Sequence, residues 1–321
     1  MANITTEMVK ELRARTGAGM LDCKKALIEA NGDVEKSIEL LREKGLAQAA
    51  KKSGRIAAEG LVTAYVDEAT KVGVIVEVNC ETDFVANTDK FKDFCDNIAK
   101  HIVVAKPEYI RAEEAPEGYA GVCMMEQKFY NDDTKTVSDM LSDATVSIGE
   151  KIDIRRFSLF EYQSGNLDTY IHMGGKIGVL LQFACQTSCN DEEYLTFCHD
   201  IAMHVAASNP LYVKTSEVPE NEIEREREIL RVQAANENKP ANIIERMVDG
   251  RLKKFYAEIC LLEQPFVKNP DITVGKLMAA LSKKLNDKID IVKFVRYERG
   301  EGIEKRVNDL AAEVAAATQS K

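Results

Sequence analysis

The sequence predicts an α+β protein with a duplicated core. It should contain an N-terminal three-helix module, two antiparallel sheets each covered by helices, an inserted antiparallel helical hairpin and a C-terminal helix. Three observations predict this. The first 54 residues carry apolar side chains at helical spacing. From Gly60 the period changes to alternation and β-branched runs, the signal of strands. Finally, one string of residues returns later in the chain in the same order. The run Gly73-Val74-Ile75-Val76-Glu77-Val78-Asn79-Cys80-Glu81-Thr82 matches Gly178-Val179-Leu180-Leu181-Gln182-Phe183-Ala184-Cys185-Gln186-Thr187. Phe94-Cys95, Ile98-Ala99, His101, Pro107 and Tyr109 match Phe197-Cys198, Ile201-Ala202, His204, Pro210 and Tyr212. Thr136-Val137 and Lys151 to Ile154 match Thr273-Val274 and Lys288 to Ile291.

Residues 1–54 read as three helices. Thr5 caps the first, which runs through Arg15 with Met8, Val9 and Leu12 on one face. A break at Thr16-Gly17-Ala18-Gly19 precedes a second helix, Met20 to Ala30. After Asn31-Gly32-Asp33, a third helix covers Val34 to Lys44. Two readings fit Met20 and Leu21 beside the glycines: a core contact, or an adaptable apolar contact for a partner. The small, basic stretch 46–58 reads as a hinge or linker helix. Core subdomain N, residues 55–163, then holds a hairpin, a helix from Asp89 to Ala105, an acidic spacer from Pro107 to Asp133, a helix from Val137 to Ile148 and a strand from Lys151 to Phe160. Core subdomain C, residues 164–213 and 265–299, repeats that order. Residues 214–264 interrupt it with two helices, each carrying one apolar stripe, a coiled-coil hairpin that lies in solvent or docks on a partner. Residues 300–321 are a glycine break and an alanine-rich helix.

Composition narrows the function. The chain has 321 residues and a formal net charge of −10, which argues against a nucleic-acid surface and for a protein or small-molecule partner. No apolar run approaches the roughly 20 residues of a membrane span. The start of the chain lacks the basic and apolar regions of a signal peptide, so a cytoplasmic location is expected. Its eight cysteines include no CxxC pair; Cys185 and Cys189 come nearest to metal spacing without a matching second pair. They read as small buried side chains, and no metal or cofactor is expected.

The differences between the copies point to the site. Copy one is two residues longer between Gly73 and Phe94 than copy two between Gly178 and Phe197. The surplus falls in a strand-to-helix loop, Asp83-Phe84-Val85-Ala86, where copy two has Ser188-Cys189-Asn190. A packing role would be expected in both copies, so Asp83 and Phe84 read as a wedge for a partner. Copy two has its own hairpin loop, Tyr170 to Lys176, with His172 at its tip and two glycines that permit a close approach. His101 and His204, at matching positions, read as core residues. No catalytic constellation emerges: there is no Gly-rich phosphate loop and no G-x-S-x-G. Cys80 as a nucleophile is weakened by its repeat mate Cys185.

Several stretches resemble bacterial translation elongation factor Ts. They are Thr16 to Leu27 (TGAGMLDCKKAL), Asn79 to Ala86 (NCETDFVA), His204 to Ser208, Gly250 to Phe255, Gln264 to Val267 and Gly300 to Lys305. The resemblance covers nearly the whole chain in order. Leu21 stands where the family often has a second Met, a volume-conserving exchange, and Lys176 where Arg is common. The resemblance implies a ubiquitin-associated-like N-terminal module and guanine nucleotide exchange on the GDP form of elongation factor Tu, with no chemical catalysis. It implies that Asp83 and Phe84 displace the partner's Mg²⁺, supported by Thr82 and Val85. It also implies partner contacts from Arg13, Met20, Leu21, Lys24 and His172. Two other readings stand beside it: an adaptor that binds through the first three helices, and a thiol enzyme using Cys80. The hairpin is also a candidate surface for pairing two copies.

Overall fold

The computed structural model describes residues 4–16, 18–235 and 241–304. They fall in two compact units. One takes the chain up to Leu61, then Glu77–Arg156 and the segment from Arg299; the other takes Val62–Val76 and Phe157–Glu298.

In the first unit, helices α1 (Thr6–Thr16), α2 (Met20–Glu29) and α3 (Val34–Lys52) enclose a core of Val9, Leu12, Cys23, Ala26, Leu27 and Leu41. The Thr5 hydroxyl accepts the Met8 N–H at 3.3 Å and starts α1. Asn31 and Gly32, with φ of 53° and 87°, turn the chain between α2 and α3. The third helix does not stop at Lys44. The stretch read as a hinge or linker helix continues it to Lys52, because alanine, glutamine and lysine are strong helix formers and Gly45 does not interrupt them. Gly45 is where α3 lies against a later helix: a Cβ there would come within 3.0 Å of Val146 Cγ2.

Two strands follow, β1 (Glu59–Asp67) and β2 (Val72–Cys80), then α4 (Asp83–Ala86) and α5 (Asp89–Ala105). The spacer contributes two 3₁₀ turns and a short strand β3 (Lys128–Phe129), which pairs with β4 (Asp132–Thr136). Next come α6 (Val137–Ile148) and β5 (Ile152–Glu161). Copy two supplies β6 (Asn166–His172), β7 (Ile177–Ala184), α7 (Glu192–Ser208), α8 (Glu220–Ala235), α9 (Ala241–Ile259), β8 (Pro265–Phe266), β9 (Asn269–Thr273), α10 (Val274–Leu285) and β10 (Asp290–Glu298). The sheets have the orders β1-β2-β5 and β10-β7-β6. In the second, His172 pairs with Ile177 and Tyr297 with Gly178, all antiparallel.

The duplication reaches individual hydrogen bonds. Helices α5 and α7 each have 17 residues and end on a left-handed residue with φ 46°, Lys106 and Asn209. Helices α6 and α10 each have 12 residues and are capped by Thr136 and Thr273. His101 and His204 are both fully buried; their Nε2 atoms meet the side-chain oxygens of Gln127 at 3.1 Å and Gln264 at 2.9 Å. Burial lowers the pKa of both rings, against an opposing effect of the glutamines, so they stand as neutral core groups. Gly60 and Gly165 take positive φ where a Cβ would strike the carbonyls of Val78 and Phe183.

Within the second unit, Val62, Ile75 and Phe160 pack with Leu167, Leu180 and Tyr297. That second buried face explains why the central strands read as near-continuous apolar runs. In the inserted hairpin, Leu230 and Ala234 of α8 close on Val248 and Leu252 of α9, so the two stripes face each other. The turn expected at Asn236 to Pro240 lies outside the described residues, as does the C-terminal helix expected from Ile303 to Ala317 except for Ile303 and Glu304, which are not helical.

One expectation needs correction. Cys185 and Cys189 are joined in a disulfide, their Cα atoms 5.8 Å apart across the turn that follows β7. A cysteine spacing that a strand would hold apart is closed by the turn. The remaining six cysteines are free and buried.

Candidate functional site

The surplus of copy one is not an open loop but a single helical turn, α4. Thr82 caps it: its Oγ1 accepts the Val85 N–H at 3.3 Å, and its carbonyl accepts the Ala86 N–H at 3.2 Å. The far end is closed by side chains. Asn87 Nδ2 donates to the Asp83 carbonyl at 2.8 Å, and Thr88 Oγ1 donates to the Val85 carbonyl at 2.7 Å. Thr88 then accepts the Phe91 N–H and begins α5. Ala86 points inward and is fully buried. Phe84 points outward and is 82% exposed, and Asp83 beside it is exposed as well. Leaving that ring in water forgoes about 1.5–3 kcal/mol of burial. Hydrogen bonds close the turn at both ends, so the exposed ring sits on a fixed support.

A carboxylate holds this turn to its unit. Glu150 accepts the N–H groups of Glu81 at 3.1 Å and Thr82 at 3.0 Å, and the Thr82 hydroxyl donates to it at 2.7 Å. Copy two has Asp287 in the same place, accepting the N–H groups of Gln186, Thr187 and Ser188. These donors, Thr187 foremost, hold the Asp287 carboxyl well below the usual carboxylate range. After that shared clamp, copy two makes a plain turn into α7 and has no counterpart of α4.

The other predicted residues are placed as follows. Met20, Leu21 and Lys24 start α2 and are exposed, Met20 by 47% and Leu21 by 73%; Arg13 is exposed on α1. Met20 and Lys24 are four residues apart, on one face of the helix. His172 lies in the second unit at the end of β6, exposed, before three successive positive-φ residues, Met173, Gly174 and Gly175. The Tyr170 hydroxyl meets His172 Nδ1 at 3.0 Å. Cys80 is buried, its thiol pushed up to about 12 by burial and the nearby Glu150 charge, and its Sγ donates to the Thr82 carbonyl. A thiol so protonated is not a nucleophile at neutral pH.

The sequence matches the family model described as elongation factor TS over residues 81–301. Curated proteins named Elongation factor Ts match almost end to end. The one from Clostridium kluyveri is 49% identical over 318 residues, 99% of this chain and all of that protein. Those from Clostridium novyi and Clostridium acetobutylicum are 47% and 48% identical, each covering 97% of both chains. The chain belongs to the elongation factor Ts family. As a member of the elongation factor Ts family it is a factor of protein synthesis. The matched segment takes in the whole α4 turn, Glu150 and His172; Arg13, Met20, Leu21 and Lys24 precede it. Among the described residues, no helix is long and apolar enough to cross a membrane.

Sequence reasoning missed Glu150 and Tyr170. Glu150 had a signal: it precedes Lys151 as Asp287 precedes Lys288, so the repeat aligns two carboxylates. Tyr170 had a weaker one, its position two residues before His172 on one face of a strand.

Proposed function

We propose that the chain is a guanine nucleotide exchange factor for elongation factor Tu, acting on the GDP form through an Asp83–Phe84 wedge. The observation that carries this is Phe84, a large exposed ring on a hydrogen-bonded turn that one copy has and the other lacks. In a GTPase, Mg²⁺ bridges phosphate oxygens to protein groups and demands near-octahedral geometry. A rigid apolar ring with a carboxylate beside it, pressed among those groups, displaces the ligands of the ion. Loss of the ion removes charge neutralisation from the diphosphate, and GDP leaves faster. The wedge gains its contacts with the distorted state alone, which is the differential affinity that a population shift requires. Thr82 and Val85 support the wedge. Met20, Leu21, Lys24 and Arg13 offer a second contact, and His172 a third. The role is that of a binding partner; the factor makes and breaks no covalent bond.

The test is release of a fluorescent GDP analogue from elongation factor Tu at fixed free Mg²⁺, with and without this protein. A large acceleration that survives thiol blocking supports exchange. The exposed Met20 and Leu21 favour one alternative, an adaptor that binds through the N-terminal module; it predicts binding without acceleration. Pairing of two copies through the hairpin is a separate proposal, resting on the exposed Ile229 and Val232 of α8. Sedimentation at micromolar concentration tests it.

A further inference from the structure

The geometry points to Glu150 as the positioning residue of the exchange wedge, acting through the Thr82 hydroxyl; this rests on the exchange reading above. Thr82 Oγ1 has one proton and two lone pairs. The proton goes to Glu150 Oε1 at 2.7 Å, so a lone pair is left facing the Val85 N–H, which it accepts at 3.3 Å. Glu150 therefore sets the rotamer of the hydroxyl that caps α4. Its other oxygen holds the Glu81 and Thr82 N–H groups, fixing the backbone from which the turn springs. The three contacts join the base of the wedge to the segment entering β5.

The second copy separates this role from a merely structural one. Asp287 performs the backbone part of the clamp on Gln186, Thr187 and Ser188, and no bond from the Thr187 hydroxyl to it accompanies the three N–H contacts. Glu150 is one methylene longer and reaches the Thr82 hydroxyl as well. The copy with the longer carboxylate is the copy with the wedge. The clamp is thus the inherited part, and the reach to Thr82 is what serves Phe84. Charge-assisted bonds of this kind, from a hydroxyl to a carboxylate, are among the stronger ones.

The experiment is GDP release from elongation factor Tu over a range of factor concentrations, giving the rate at saturation and the half-saturating concentration. Glu150→Ala and Thr82→Val should each lower the saturated rate about tenfold, the size expected for losing one hydrogen bond to a charged group. The half-saturating concentration should change less than twofold. Glu150→Asp, which keeps the charge and the backbone clamp, should match Thr82→Val. It also supplies the result if Glu150→Ala does not fold. The double variant Thr82→Val/Glu150→Ala should be no slower than Glu150→Ala, because the two act as one unit. Asp287→Ala removes the equivalent clamp in copy two and should leave the saturated rate unchanged. A wild-type rate in Glu150→Asp and Thr82→Val, with Asp83→Ala/Phe84→Ala slow, overturns the positioning role and leaves the wedge standing. An equal loss in Asp287→Ala overturns it too, by tracing the effect to stability. A wild-type rate in Asp83→Ala/Phe84→Ala removes the wedge reading itself.

Discussion

The Glu81 and Glu150 carboxylates each accept a backbone N–H from the other's chain segment. The Glu81 carboxylate accepts the Lys151 N–H at 2.6 Å, and the Glu150 carboxylate accepts the Glu81 N–H at 3.1 Å. Arg55 closes on Glu81 at 3.1 Å, and Lys151 Nζ donates to the Arg55 carbonyl at 3.0 Å. Two chain segments 70 positions apart are thereby fixed side by side. Helix α4 begins two residues beyond Glu81, and its Asp83 and Phe84 side chains are exposed.

The copies predict where backbone freedom is required. Gly165 has φ +91°, and a Cβ there would lie 1.9 Å from the Phe183 carbonyl oxygen. Gly165→Ala should therefore cost roughly 3 kcal/mol or more, through strain and displacement of β7. Urea unfolding checks it. Gly118→Ala meets nothing within 4 Å and should cost less, although φ there is +84°.

The buried histidines predict an acid limit. Burial holds the pKa of His101 and His204 below the ordinary value. The unfolded chain takes up protons first as pH falls below about 6.5. Stability is therefore full above that pH and is lost as pH falls from there toward the folded pKa. Thermal unfolding should show Tm falling by a few degrees between pH 7.5 and 5.5. His101→Gln/His204→Gln should flatten that slope while lowering Tm at pH 7.5. An unchanged slope would assign the acid sensitivity to other groups.

The N-terminal face predicts an effect on affinity without one on stability. Met20 and Leu21 are exposed, and their loss leaves the core of Val9, Leu12 and Leu27 untouched. Met20→Ala/Leu21→Ala should weaken binding to elongation factor Tu about tenfold, the scale of one interface anchor. Titration calorimetry measures it, and Tm should stay within about 2 °C of wild type.

Much of this fold was legible in the sequence because it is written twice. The valine run of β2 and its leucine counterpart in β7 marked the central strands, and the bounds read for α5 and α6 are those of the structure, where Thr88 and Thr136 cap their starts and Lys106 and Gly149 take positive φ at their ends. Single-turn α4 was not legible as a helix: four residues carry no period, and what makes them helical is the caps from Thr82, Asn87 and Thr88. The stretch after Lys44 fits both a hinge and a linker helix because its residues are small, and the structure selects the helix as far as Lys52. The Glu150 clamp joins residues 68 and 69 positions apart through backbone N–H groups, which have no identity in a sequence. The same holds for the Cys185–Cys189 closure, which depends on the turn between them. Asp83 and Phe84 stood out for the opposite reason: they interrupt a pattern that the other copy keeps.

The most direct measurement is the rate of GDP release from elongation factor Tu at saturating factor, for the wild-type chain and for Asp83→Ala/Phe84→Ala. The wedge account predicts that the double variant keeps its Tm and its binding through α2 while catalysed release slows at least tenfold. Release at the wild-type rate from a correctly folded double variant would contradict it.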